Sequence, residues 1–371
     1  MRYEYRLSGV IIGAVAVVAI GVQAQRPDNA AAPAVVIDDD GTVHVPAMAV
    51  PQSTFLSPEA KAYVTQHLKD MQRPSRPAQN NGIPAFLASY IDRQKAQYAV
   101  DREDTRIAGV HAYVYTPKSG IADPRRVLIN LHGGGFSGCW PACAELESIP
   151  IAALARARVI SVDYRQGPTH KFPAASEDVA AVYREVLKTY QPQKIGIYGC
   201  SAGGMLTGMA MAWFQKENLP APGAIGILCA GSGSLSGAGF GGDADYTTAA
   251  LGEARGAPPP RRESGRGRSG LAYLDGTSPN DPLVAPVSSP EVLAKFPPTL
   301  VVTATRGFEL SNAVYTHNQL VKRGVEADLH VWDGLFHGFF YNPDVPESRD
   351  CYDVIVRFFE RHLGRAVAAR K

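Results

Sequence analysis

The 371-residue chain lacks an excess of charge of either sign. Its 37 basic and 35 acidic side chains leave a formal net charge of +2. Nucleic acids and anionic membrane surfaces attract proteins mainly through sustained positive charge. The balance therefore argues against a nucleic-acid partner. A chain of this length with 45% hydrophobic residues is large enough to bury the core of a soluble enzyme.

Cysteine is also scarce. The five cysteines are unevenly spaced, at Cys139, Cys143, Cys200, Cys229 and Cys351. Disulfide frameworks and structural metal sites need more regularly paired cysteines, so we expect neither. Cys139 and Cys143 are close enough for a local bridge in an oxidising compartment, yet small buried thiols are the commoner outcome and the one we expect.

The apolar run near the N-terminus is too short to span a bilayer. It extends from Val10 to Val22, about 13 residues, whereas a transmembrane helix needs about 20. Arg2 and Arg6 precede the run, and cleavage after Ala24 would fit the small-residue pattern of a signal peptide. An uncleaved anchor is the alternative. We expect residues 1–24 to be a signal peptide and the mature protein to be periplasmic or secreted, without a stable membrane span.

Two segments precede the main domain. Residues 25–55 are rich in Ala, Pro and Asp and predict a linker or arm. In residues 56–105, Ser57 offers an N-cap for a helix that runs to about Met71. A second helical stretch follows at Ala85–Gln94, so this segment predicts a small N-terminal helical cap.

Residues 106–371 predict the catalytic domain. Its apolar strand candidates are Val127–Leu131, Val159–Asp163, Lys194–Tyr198, Gly223–Cys229, Thr299–Ala304 and Ala327–Trp332. Helical segments separate them, at Glu147–Arg156, Ala175–Thr189, Ala202–Lys216 and Asn312–Lys322. This alternation predicts an α/β fold with a mainly parallel central sheet covered by helices. An irregular insertion near 231–280 is too long for an ordinary connection and is expected to fold over the carboxyl edge of the sheet.

A G-x-S-x-G pentapeptide runs from Gly199 to Gly203. The pattern alone is weak, because glycine is abundant in this chain, and a plain glycine-rich turn is the alternative. Here a predicted strand ends just before it and a predicted helix starts just after it. That strand, sharp turn and helix hold a serine out at the top of a sheet. The context favours Ser201 as a nucleophile.

A run of glycines follows the predicted strand Val127–Leu131. It consists of Gly133, Gly134 and Gly135, preceded by His132. Consecutive glycines at a strand end let backbone N–H groups point into a site, as an oxyanion hole requires. A phosphate cradle is the alternative, but no Walker spacing accompanies the run.

Together these motifs resemble the bacterial hormone-sensitive-lipase-like esterase family of the α/β-hydrolase fold. The resemblance covers roughly Arg125 to His337. It is carried in chain order by His132–Gly135, Asp163–Arg165, Phe172–Ala175 with Asp178, Ser201–Gly204, Asp281–Val284 and His337–Phe339. It implies an α/β-hydrolase fold with a small two-part cap, formed by the N-terminal helices and the insertion.

The resemblance also implies a role for individual residues. Ser201 would attack an ester carbonyl, and His337 would accept the serine proton. The backbone amides of Gly134, Gly135 and Ala202 would hold the oxyanion. The implied reaction is hydrolysis of short-to-medium acyl esters through an acyl-enzyme, with neither a metal nor an organic cofactor.

Two positions depart from the family pattern. The family usually has aspartate before the nucleophile, where this chain has Cys200, and a reactive thiol at Cys200 is a weaker alternative nucleophile. The family's usual position for the triad acid aligns with Gly307, which cannot orient an imidazole. Glu309 follows two residues later and is assigned as the acid, with Asp333, close to His337, as the alternative.

Other functions are compatible with these motifs. A lactonase, amidase or deacetylase could use the same triad, because pocket shape decides which bond is cleaved. A non-catalytic ligand-binding homologue is the alternative from another class, and Gly307 is the feature that raises it. The retained Ser201 and His337 argue for the enzyme. A small-molecule ester is the expected partner, and the sequence is also compatible with a homodimer.

Overall fold

The computed structural model describes most of the chain, namely residues 35–72, 85–233, 242–253 and 271–364. The predicted signal peptide, residues 1–24, and two stretches of the predicted insertion lie outside the described residues. Contacts divide the chain into two compact units, Met1–Val50 and Pro51–Lys371. The first unit contains one short antiparallel pair of strands, β1 (Val36–Ile37) and β2 (Val43–His44).

An eight-stranded sheet forms the centre of the second unit. Its strands are β3 (Val100–Ile107), β4 (Val110–Pro117), β5 (Val127–Leu131), β6 (Arg158–Val162), β7 (Ile195–Cys200), β8 (Ala224–Leu228), β9 (Thr299–Arg306) and β10 (Ala327–Phe336). The spatial order is β10-β9-β8-β7-β5-β6-β4-β3. Strands β10 to β6 in this order pair in parallel, whereas β4 is antiparallel to both β6 and β3. The prediction of a mainly parallel sheet is confirmed.

Helices cover both faces of the sheet. They are α1 (Pro58–Met71), α2 (Ala85–Gln97), α3 (Ala142–Ala155), α4 (Ala174–Val186), α5 (Ala202–Lys216), α6 (Ala244–Ala250), α7 (Pro290–Leu293), α8 (Leu310–Lys322) and α9 (Pro346–Leu363). Helices α4, α5 and α8 contribute to one buried apolar layer, and α1, α3 and α9 to the other. Among the described helices, none is both long enough and apolar enough to cross a membrane.

Some elements differ from the sequence predictions. Strands β3 and β4 were not predicted. Strand β3 carries charged residues and lies mostly exposed at the edge of the sheet, so it lacks the apolar signal of a central strand. Strand β3 runs across the boundary predicted between residues 105 and 106. Helix α3 begins at Ala142 and not at Glu147, since its first turn consists of small and charged residues without an apolar spacing.

Helix α1 begins where the sequence predicts. The hydroxyl oxygen of Ser57 accepts a hydrogen bond from the amide of Ala60 at 3.0 Å, which satisfies one of the free N–H groups of the first turn. The carboxylate of Glu347 in α9 accepts hydrogen bonds from both the amide and the hydroxyl of Ser57. The cap residue therefore also fixes α1 to the main domain.

The described part of the insertion lies next to α1. The carboxylate Oε2 of Glu253, just after α6, is 2.6 Å from Nε2 of His67 in α1. The guanidinium of Arg306, at the end of β9, donates to the carbonyl of Leu251 at 3.3 Å. The N-terminal helix and the insertion therefore meet near the carboxyl end of β9. Their role as walls of a substrate pocket stays a prediction.

Candidate active site

Ser201 lies at the turn between β7 and α5. Its backbone has φ 57° and ψ −121°, a sparsely populated conformation that is typical of a strained nucleophile turn. Strand and helix approach each other closely here. A Cβ atom would lie 2.2 Å from the carbonyl oxygen of Leu131 at Gly199, and 1.7 Å from it at Gly203. The two flanking glycines are therefore required for the turn that leaves Ser201 partly exposed.

The three predicted oxyanion amides lie at the same edge of the sheet. Gly134 and Gly135, in the loop after β5, have φ values of 121° and 62°, and a Cβ at Gly134 would lie 2.2 Å from the carbonyl oxygen of Gly138. Ala202 is the first residue of α5. Within the described ranges, these three amides have no hydrogen-bond acceptor. They are available to a ligand that carries negative charge.

His337 and Glu309 contact each other directly. Oε2 of Glu309, between β9 and α8, is 2.9 Å from Nδ1 of His337, which follows β10. The hydroxyl of Thr303 donates to Oε1 at 3.0 Å. The Glu309 side chain is fully buried, and that of His337 is 26% exposed. A carboxylate held this way orients the imidazole and leaves Nε2 for proton transfer.

Gly307 makes room for the Glu309 carboxylate. A Cβ atom at Gly307 would lie only 2.4 Å from Oε1 of Glu309. A side chain at the position where the family usually carries its acid would therefore displace Glu309. The alternative acid, Asp333, accepts a hydrogen bond from the hydroxyl of Thr305 at 3.3 Å instead.

The substitution Gly307→Ala is expected to lower kcat about 100-fold with a modest loss in melting temperature, because the added methyl group pushes the buried Glu309 carboxylate off His337 and Thr303. Steady-state kinetics and thermal unfolding test this. Gly138→Ala is the control, since a Cβ there meets nothing within 4 Å. Equal kcat for both variants would contradict the argument.

The pKa of His337 is set by two opposing effects. Burial lowers it, but the negative charge and hydrogen bond of Glu309 more than offset this and raise the pKa to about 9. Cys229 and Glu147 contribute smaller effects in the same direction. Below this value the imidazole is mostly protonated and cannot accept a proton from a serine.

We therefore expect kcat/KM to increase about tenfold per pH unit below the raised pKa of His337 and to level off above about pH 9. Initial rates with p-nitrophenyl butyrate between about pH 6 and pH 10 measure this, after subtraction of spontaneous hydrolysis. In Glu309→Gln the rise is expected at lower pH, because the negative charge is removed. A flat profile above about pH 7 would contradict the assignment.

Cys200 is a poor nucleophile in this structure. Its side chain is fully buried, and burial raises the pKa of its thiol well above the usual value, with a smaller contribution from Cys229. The thiolate is the reactive form of cysteine. Cys200 therefore has neither the exposure nor the ionisation that the alternative reading requires.

A disulfide joins Cys139 and Cys143. It links the loop after the glycine run to the first turn of α3. The expectation of two buried thiols was wrong for this pair. The other three cysteines are buried and free.

One group of metal-ligating atoms occurs among the described residues. Ligand atoms of Cys229, Glu309 and His337 lie within 4.8 Å of one another. Glu309 and His337 are already hydrogen-bonded, and Cys229 accepts a hydrogen bond from the amide of Gly338 at 3.4 Å. These contacts give each of the three groups a partner without an ion.

A buried carboxylate close to the site was not predicted from the sequence. Glu147 in α3 is 2% exposed and contacts the glycine run, the nucleophile turn and the loop after His337. The available signal was a charged residue two positions before the apolar stretch Ile149–Ala155, since a buried carboxylate must find several donors. Its partner in the loop after His337, Tyr341, had no signal in the sequence.

The chain is similar in sequence to known hydrolases and esterases. A protein-family model described as an alpha/beta hydrolase fold matches residues 128–341, more than half of the chain. An acetyl-hydrolase of Streptomyces hygroscopicus is 28% identical over 244 residues, which span 65% of this chain and 78% of that protein. The versiconal hemiacetal acetate esterase of Emericella nidulans is 38% identical over 124 residues, which span 33% of this chain and 42% of that esterase.

The crystal structure of an esterase from the bacterial hormone-sensitive lipase family superposes with a TM-score of 0.69 at 26% identity. The superposition covers 83% of this chain and 99% of the chain of that esterase. The fold, the family model and these relatives define a carboxylic ester hydrolase of the α/β-hydrolase fold. Within that class, the chain belongs to the bacterial hormone-sensitive-lipase-like esterase family.

Proposed function

We propose that the protein hydrolyses short-to-medium acyl esters through an acyl-enzyme, with Ser201, His337 and Glu309 as its catalytic triad. The observation that carries the proposal is the contact of 2.9 Å between the buried Glu309 carboxylate and Nδ1 of His337. It supplies the acid that Gly307 lacks, and it argues against a broken triad in a binding protein.

In the acylation step, Oγ of Ser201 attacks the ester carbonyl carbon while Nε2 of His337 takes the hydroxyl proton. The oxyanion that forms is stabilised by the amides of Gly134, Gly135 and Ala202. Each such donor is worth roughly 3 to 4 kcal/mol in comparable sites. When the carbon–oxygen bond breaks, the imidazolium gives its proton to the leaving alcohol.

Deacylation repeats these steps with water. His337 removes a proton from the water, whose oxygen attacks the acyl carbon, and the proton is then returned to Oγ of Ser201. Glu309 stabilises the imidazolium in both halves of the reaction and keeps Nε2 directed at the serine. No step needs a metal or an organic cofactor.

The acyl range is proposed from the relatives and the cap. The names of the Streptomyces and Emericella proteins refer to acetyl and acetate groups, which supports short acyl chains. The contact between α1 and the insertion supports a covered pocket, which limits the length of chain that fits.

The test is release of p-nitrophenol from acetate, butyrate and octanoate esters by the mature protein. We expect turnover of the two shorter esters and slower turnover of octanoate. p-Nitroacetanilide is the matched amide, and a faster rate on it would favour an amidase or deacetylase. No turnover of any of these substrates would favour the ligand-binding protein.

We also propose export to the periplasm or beyond, with cleavage after Ala24. The disulfide between Cys139 and Cys143 supports this, because disulfides persist in oxidising compartments. Cell fractionation and the N-terminal sequence of the mature protein test the proposal. The homodimer stays a prediction, and light scattering of the purified protein measures its mass.

A further inference from the structure

The geometry points to Glu147 as a positioning residue that holds three loops of the active site in register. These loops are the glycine run after β5, the nucleophile turn after β7 and the segment after His337. Glu147 itself lies in α3, beneath the site. The inference rests on the proposed esterase function, because it assigns a role in that reaction.

The first two loops are held by the two oxygens of one carboxylate. Oε1 of Glu147 accepts a hydrogen bond from the amide of Gly133 at 2.8 Å, and Oε2 accepts one from the amide of Cys200 at 3.2 Å. Gly133 directly precedes the oxyanion residue Gly134, and Cys200 directly precedes Ser201. Glu147 therefore fixes the distance between the oxyanion hole and the nucleophile.

The third loop is held through Tyr341. Its hydroxyl donates to Oε1 of Glu147 at 2.8 Å, and Tyr341 lies four residues after His337 in the same segment. The ring of Tyr341 also lies close to Gly338. A shift of Glu147 would consequently move the loop that carries the catalytic histidine as well.

Glu147 is itself fixed from the strands. The side-chain Nδ2 of Asn130 in β5 donates to Oε2 of Glu147 at 2.9 Å. Oδ1 of Asn130 in turn accepts from the hydroxyl of Ser161 in β6. The hydroxyl of Tyr198 in β7 donates to the backbone carbonyl of Glu147 at 2.9 Å. Hydrogen bonds from the rigid sheet therefore hold the Glu147 carboxylate in place, which is what a positioning group requires.

Four donors surround the two carboxylate oxygens of Glu147. The ionised carboxylate can accept a hydrogen bond from each of them. Burial raises the pKa of Glu147 to about 7, while the bonds from Asn130, Gly133, Tyr341 and Cys200 act to lower it. A fully buried carboxylate is costly unless it is hydrogen-bonded on all sides. The arrangement lies where the glycine run, the nucleophile turn and the segment after His337 meet.

The contacts also place a carboxylate beside Cys200, one of the two departures from the family pattern. In this chain, the residue before the nucleophile has no carboxylate of its own, and the carboxylate that binds its amide comes from α3.

Glu145 provides a matched control. It lies two residues earlier in α3 and is also buried, but its carboxylate pairs with Lys95 at 2.9 Å and Arg102 at 2.6 Å. Neither partner belongs to the three loops. Loss of Glu145 disturbs α3 and its charge without touching the site.

The experiment compares Glu147→Gln with Glu145→Gln in the full chain, with p-nitrophenyl butyrate as substrate. A glutamine at 147 places an NH2 group against N–H donors, so the loops shift. We expect kcat to fall about 100-fold with KM within about twofold for Glu147→Gln. Glu145→Gln should keep kcat within about twofold of the wild type.

A second readout separates positioning from stability. Phenylboronic acid forms a tetrahedral adduct with a catalytic serine, so its Ki reports transition-state geometry. For Glu147→Gln, Ki should rise in parallel with the loss in kcat, at equal concentrations of folded enzyme. A purely structural role would lower the melting temperature and leave kcat, KM and Ki of the folded fraction unchanged.

If Glu147→Gln does not fold, Tyr341→Phe decides, because it removes one donor from the carboxylate and nothing from the core. About a tenfold lower kcat at unchanged KM is expected. Wild-type kcat in Tyr341→Phe, or equal kcat in the Glu147 and Glu145 variants, overturns the inference while the esterase stands. An inactive wild type overturns the proposed function instead.

Discussion

Ser201→Ala is expected to lower kcat for p-nitrophenyl butyrate about a millionfold while KM changes little. Removal of the nucleophile from a comparable triad has this size, because serine and histidine act as one unit. The residual rate comes from substrate binding and the oxyanion amides of Gly134, Gly135 and Ala202, which the substitution leaves in place. Stopped assays at high enzyme concentration measure the residual rate.

The control for this loss is Ser176→Ala. Ser176 lies in α4, is fully buried, and its hydroxyl has no hydrogen-bond partner among the described residues, so the change removes one buried serine oxygen that belongs to a different helix. Its kcat should match that of the wild type. If Ser201→Ala keeps more than about a hundredth of the activity, another residue is the nucleophile.

Glu309→Ala is the second large effect. We expect kcat to fall about ten thousandfold, as when a triad acid is removed from a comparable enzyme, which corresponds to about 5 to 6 kcal/mol of transition-state stabilisation. Without Glu309, Nδ1 of His337 loses its hydrogen-bond partner and the imidazolium loses the negative charge that stabilises it. Thr303 also loses its acceptor, so a modest loss in melting temperature should accompany the loss in kcat.

Asp333→Ala provides the comparison for Glu309→Ala. Asp333 lies in β10, and its carboxylate accepts a hydrogen bond from the hydroxyl of Thr305 in the neighbouring strand β9. Its removal should change kcat by less than about threefold. The reverse result, with full activity in Glu309→Ala and a large loss in Asp333→Ala, would make Asp333 the acid.

The central elements of the fold were predictable because their sequence signals are local. Strand β5 and helix α5 have the bounds that the apolar run and the helical pattern predict, Val127–Leu131 and Ala202–Lys216. Each borders a glycine motif, the glycine run after β5 and the nucleophile turn before α5. The placement of Ser201 and of the oxyanion glycines follows directly from these two elements.

The contact between Glu309 and His337 was predictable only in outline. Chain order placed both residues at the carboxyl ends of neighbouring strands, β9 and β10. Whether the longer side chain of Glu309 reaches the imidazole depends on the space at Gly307. That space is a property of the folded loop, and no spacing in the sequence specifies it.

Glu147 shows why other parts were not predictable. Its partners come from residues 130, 133, 200 and 341, which are close only after the sheet has formed. Strand β3 escaped prediction for a different reason. Its charged, exposed edge lacks the apolar pattern of a central strand.

The most direct test of the proposed mechanism is reaction with diethyl p-nitrophenyl phosphate, followed by mass spectrometry of the digested protein. Attack on phosphorus releases p-nitrophenolate and leaves a diethyl phosphoryl group on the nucleophile. We expect one equivalent of p-nitrophenolate, complete loss of esterase activity, and the added mass on Ser201. An adduct on Cys200, or no adduct in a folded protein, would contradict the assignment of Ser201 as the nucleophile.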